Sequence, residues 1–88
     1  GKDGALIADL LRLLLKVRAK EADVAPRLIA RSDELDAIAA GTRRDLAMLT
    51  GWRYDVFGKD ALALVDGRLA FSVCGGKMVM SELPGDES

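Results

Sequence analysis

The run DLAMLTGWRYDVFGKDALALV, Asp45 to Val65, places two glycines between apolar segments whose spacing suits short helices. Thr42, just upstream, is placed to cap a short helix through RRDLAML, which would bury Leu46 and Leu49 and leave Arg43 and Arg44 at its exposed start. Gly51 interrupts before Trp52, and RYDVF adds a further turn. After Gly58, KDALALV forms a last helix with Leu62 and Val65 inward, stopped by Gly67. Trp52 and Phe57 are expected in the core, because a small core with few aromatics gains much from burying one. Arg53 and Lys59 are expected to be mainly exposed, since charge is costly to bury without a partner.

Upstream, ALIADLLRLLLKVRAKEA, Ala5 to Ala22, has no internal glycine or proline and reads as one helix. Eight apolar residues, from Leu6 to Val17, occupy an arc of roughly 200°. That arc is wider than one neighbouring helix covers. Arg18 falls near its middle and is expected to lay its stem on apolar surface, with its head reaching water or a carboxylate. Pro26 opens a new turn, Ser32 resembles an N-cap, Asp33 and Glu34 suit the first turn that follows, and Gly41 ends that helix after Leu35 and Ile38.

Downstream the period changes from helical to two. RLAFSVCGGKMVM reads as two strands joined at Gly75–Gly76, with Val73 opposite Met78 and Phe71 opposite Met80. Leu69, Phe71, Val73, Met78 and Met80 then share one face. An isolated hairpin is marginal in water, so that face is expected to pack across the first helix. The chain is thus expected to be one mainly α domain over residues 1–88: a compact bundle of about five short helices over 5–66, a two-stranded β-hairpin over 67–81 and a flexible acidic tail over 82–88.

Composition narrows the possible functions. Thirteen Lys and Arg against 14 Asp and Glu give a net charge of −1, so nucleic-acid affinity would have to come from local clustering. With one cysteine and no histidine, neither an internal disulfide nor a Cys/His zinc site is available, and no Ser, Thr or Cys has a histidine partner. The acids are spaced as caps and solvated faces, so no metal or other cofactor is expected. Gly75–Gly76–Lys77 lacks the spacing and following helix of a phosphate loop. No apolar run reaches the ~18 residues of a membrane span and no signal peptide opens the sequence. The expectation is a soluble, cytoplasmic domain.

From Ala19 to Val65 the order AKEADVAP, LDAIA and DLAMLTGWRYDVFGKDALALV resembles the helicase and RNase D C-terminal (HRDC) domain. The resemblance is closest to the C-terminal copy in bacterial ribonuclease D, and it covers roughly Leu6 to Val65. Its matching features are Pro26, the Leu35/Ile38 helix, Leu46 and Leu49 before Gly51, and Phe57–Gly58 with Leu62 downstream. It implies an HRDC-like helical bundle and an accessory nucleic-acid-binding role beside a separate 3′–5′ exonuclease domain. The implied partners are structured RNA, such as tRNA precursors, and the catalytic domain of the parent chain. Arg43, Arg44, Arg53 and Lys59 are the candidate RNA contacts, positioning a phosphate backbone without reading bases. A protein-docking domain, packing on its parent chain or another subunit through the wide leucine arc, is the alternative.

Overall fold

The computed structural model describes residues 3–84. Helix α1, Gly4–Ala22, is followed by the single turn α2, Pro26–Ile29, and by α3, Ser32–Ala39. A 3₁₀ turn, Ala47–Leu49, leads into a helical run made of α4, Gly51–Arg53, a π-helical turn, Tyr54–Gly58, and α5, Lys59–Val65. Strands β1, Leu69–Cys74, and β2, Lys77–Glu82, form an antiparallel hairpin. The mainly α bundle with a terminal hairpin is the expected architecture. The acidic tail is different: Glu82 belongs to β2, and residues 85–88 lie outside the described part.

Local chemistry explains most boundaries. Asp23 adopts a left-handed conformation, φ 58°, and the Val24 N–H closes α1 onto the Ala19 carbonyl at 3.0 Å. Pro26 occupies the first turn of α2, where its missing N–H costs nothing. Helix α3 starts one residue earlier than a Ser32 cap would place it: Arg31 stands at the cap position, and its N–H donates to Glu34 Oε1 at 3.0 Å. Ser32 Oγ instead accepts from the Arg12 guanidinium at 3.0 Å, tying α3 to α1. At the hairpin tip Gly75 and Gly76 have φ of 59° and 80°, the conformation a two-residue turn requires, and the pairs Val73–Met78 and Phe71–Met80 form as expected.

The core gathers Leu11, Leu14 and Leu15 from α1, Ile29 from α2, Leu35 and Ile38 from α3, then Met48, Phe57, Ala61 and Leu69. Glu34 is buried among them. Its Oε2 accepts the Met48 N–H at 3.1 Å, so one carboxylate satisfies two backbone donors from separate segments.

This linkage changes the expected course of residues 42–49. No helix begins at Thr42; Asp45 is left-handed, φ 66°, and interrupts helical hydrogen bonding before the 3₁₀ turn. Met48 is fully buried while Leu46 and Leu49 lie only partly in the core. Gly58 does not separate two helices either. It is buried inside the π turn, where a Cβ would collide with the Met48 carbonyl oxygen.

Two further expectations are corrected. Trp52 is 45% exposed, because Phe57 fills the interior position available to this run and Trp52 stands in its first turn, at the surface. The hairpin packs chiefly against α5 rather than across α1. The Arg68 N–H donates to the Ala63 carbonyl at 2.8 Å, so the chain turns back at the end of α5 and inserts Leu69 there. Beyond Leu69, β1 runs outward: at ~3.4 Å per residue, Val73 lies about 14 Å further along and is 69% exposed. Phe71 and Met80 pack on the core margin, while Met78 is exposed. The surplus arc of α1 therefore stays open, with Leu6, Leu10 and Leu13 at 64%, 44% and 37% exposure.

Two stability measurements test this packing. Glu34→Ala should lower the unfolding free energy by about 2–4 kcal/mol in urea titration, because it strands the N–H groups of Met48 and Arg31. Leu69→Ala should cost about 2–4 kcal/mol, whereas Val73→Ala should cost under about 1 kcal/mol. Equal losses at positions 69 and 73 would contradict the outward course of the hairpin.

Candidate nucleic-acid interface

The arginines divide by what they touch. Arg12 donates to Asp9 and Asp36, both at 3.2 Å, and Arg18 bonds Asp60 and Glu21, both at 2.8 Å. The Arg18–Asp60 pair is sheltered and fastens α1 to α5, so Arg18 reaches a carboxylate as its place on the apolar arc implied. Both arginines serve the scaffold.

The four candidate contacts occupy different surroundings. Arg43 pairs with Asp66 at 2.8 Å in an exposed salt bridge, worth only ~0–1 kcal/mol and readily opened by a competing anion. Arg44 is exposed and, among the described residues, has no carboxylate at ion-pair distance. Lys59 is exposed on a shallow depression shared with Arg18, Glu21, Asp55 and Asp60. Arg53 is half-buried, where it was expected to be mainly exposed. Its Nε donates to the Leu28 carbonyl at 2.9 Å, and its guanidinium carbon stands 4.6 Å from the centroid of the Trp52 ring.

Arg53 thereby belongs to a groove the sequence reading did not assemble, bordered by Arg27, Leu28, Arg31, Asp45 and Leu46. Arg31 is partly neutralised by Asp33 at 3.4 Å. Arg27 and Arg53 have no carboxylate partner among the described residues. Part of this was accessible from the run PRLIARSD: once Ile29 is turned inward by a one-turn helix, Arg27 and Leu28 must face out. The approach of Arg53 was not, since it lies 25 residues further along the chain.

Comparison with curated proteins finds similarity along most of the chain. Ribonuclease D of Sphingobium indicum is 64% identical over 81 residues, covering 92% of this chain and 21% of that protein. Ribonuclease D of Zymomonas mobilis is 62% identical with the same coverage, and that of Gluconacetobacter diazotrophicus is 48% identical over 83 residues. The chain is similar to one part of ribonuclease D. It spans only 21% of the length of those relatives and matches their C-terminal part, consistent with an HRDC-like domain. The catalytic exonuclease domain of ribonuclease D lies outside the matched segment. No family model matches the chain and no solved structure matches it. Among the described residues, no helix of the chain is long and apolar enough to cross a membrane.

The Arg53–Trp52 contact has a direct optical readout, because Trp52 is the only tryptophan. Arg53→Ala should raise the acrylamide accessibility of Trp52 emission while leaving the far-ultraviolet circular dichroism intact. Unchanged quenching would show that the guanidinium does not cover the ring.

Proposed function

We propose that this domain is an accessory nucleic-acid-binding domain of a cytoplasmic, ribonuclease D-like 3′–5′ exoribonuclease, helping to position structured RNA such as tRNA precursors for the catalytic domain of its parent chain. The carrying observation is similarity to ribonuclease D along nearly the whole chain, at up to 64% identity in the relatives compared. The surface chemistry supports it. Arg44 and Lys59 are exposed without carboxylate partners among the described residues, Arg43 sits in a bridge that a phosphate can displace, and Arg53 keeps its charge uncompensated. Guanidinium and ammonium groups so arranged neutralise phosphates and release counterions, which supplies affinity without base recognition. A net charge of −1 limits this attraction to the local surface.

A second reading, docking onto the parent chain, is favoured by one observation. Leu6, Leu10 and Leu13 form an exposed apolar stripe on α1 that the bundle leaves uncovered.

Titration of fluorescently labelled tRNA with the 88-residue chain tests the RNA reading. Affinity should fall by on the order of tenfold between about 50 and 200 mM salt. The Arg43→Glu/Arg44→Glu variant should bind more weakly at the lower salt. No binding at low salt would overturn the RNA reading and leave docking through the leucine stripe.

A further inference from the structure

We propose that Trp52, held by Arg53, is a stacking platform for an unpaired nucleobase, with Arg27 placed to neutralise a neighbouring phosphate. This rests on the RNA-binding reading and specifies which part of an RNA the domain grips: a single-stranded segment rather than a duplex.

The argument begins with the indole. The bundle closes its core with Phe57 and Met48, both fully buried, and leaves the larger ring of Trp52 in contact with solvent. That ring is not loose. The Arg53 guanidinium lies 4.6 Å from its centroid, and Arg53 is itself fixed by its bond to the Leu28 carbonyl at 2.9 Å. Cation–π contact and hydrogen bond together orient the pair before any ligand arrives, which lowers the ordering cost of binding. The guanidinium covers one face of the indole, and the remaining exposed part of the ring is the platform on which a base of a single strand stacks.

Charge favours nucleic acid over protein at this place. Arg53 donates Nε to a neutral carbonyl, and neither it nor Arg27 meets a carboxylate among the described residues. Glu34 borders the same groove, but both its oxygens are engaged by backbone N–H groups. Asp33 is engaged by Arg31, leaving Asp45 as the acid on that rim without an ion-pair partner among the described residues. The requirement for an unpaired base follows from geometry: in a duplex each base face is covered by its neighbours, whereas a single strand can present one to the indole. Stacking does not read the sugar, so RNA and DNA strands of one sequence should both engage it.

The emission of Trp52 reports binding at this site directly. A short unpaired RNA oligonucleotide added to the 88-residue chain should quench it, the DNA strand of the same sequence should do so too, and the RNA annealed to its complement should not. Trp52→Leu should weaken single-strand binding about tenfold by fluorescence anisotropy of a labelled strand, and Trp52→Phe should lose less. Arg27→Glu should weaken it as well. Circular dichroism of the Trp52 variants should match the parent, since the ring is outside the core. Equal quenching by the duplex, or unchanged anisotropy affinity in Trp52→Leu, would overturn the stacking site while leaving tRNA contact through Arg43 and Arg44 intact. Absence of binding by any nucleic acid at low salt would remove both readings. Quenching by the catalytic segment of a ribonuclease D, but by no nucleic acid, would assign the surface to protein docking and overturn the proposal.

Discussion

Two backbone N–H groups, those of Arg31 and Met48, converge on the buried carboxylate of Glu34, and the rest of the bundle is arranged around that junction. One oxygen fixes the start of α3; the other draws the returning chain inward so that the Met48 side chain fills the centre of the core. The Met48 carbonyl then lies against Gly58, where there is no room for a Cβ. That close approach brings the π turn onto the core and points Phe57 into it. Hydrogen bonds to a charged acceptor contribute about 1.5–3 kcal/mol each, and the alternative is an unpaired buried donor, so these contacts are coupled rather than separable.

The same economy of partners determines which cations remain for a ligand. Arg12 and Arg18 are committed to joining α1 with α3 and α5. Arg31 and Arg43 hold exposed carboxylates, contacts that solvent screens and that a phosphate can replace. Arg27, Arg44, Arg53 and Lys59 have no carboxylate partner among the described residues, so a chain of net charge −1 still presents uncompensated positive groups. Arg27 and Arg53 border one depression and Lys59 another, while Arg44 borders neither, so these groups do not converge on a single pocket.

Apolar surface is divided in a comparable way. The bundle uses Leu11, Leu14 and Leu15 of α1 and leaves Leu6, Leu10 and Leu13 outside. It uses Leu69 at the base of the hairpin and leaves Val73 and Met78 outside near the tip. Both open faces belong to a segment covering 21% of the length of its ribonuclease D relatives.

The sequence by itself determined what depends on neighbours a few residues apart: the unbroken α1, the Leu35/Ile38 stripe of α3, the helix stop at Gly67 and the register of β1 with β2. Period, capping and turn chemistry act over one or two turns of chain, and they leave these elements little choice. Burial of Phe57 was legible in the scarcity of aromatics, since a small core gains much from enclosing one. Exposure of Trp52 was not, because the two aromatics compete for one volume whose size is set by α1, α3 and Met48 together. Glu34 read as an ordinary first-turn acid; its second bond is to a residue 14 positions away. The candidate cations were named without their partners, and Arg43 meets Asp66 across 23 positions while Arg53 meets Leu28 across 25. The hairpin's direction was likewise decided by where α5 ends in space. Only the tertiary structure settles such questions, because packing volume and charge compensation belong to segments that the fold, not the chain, makes adjacent.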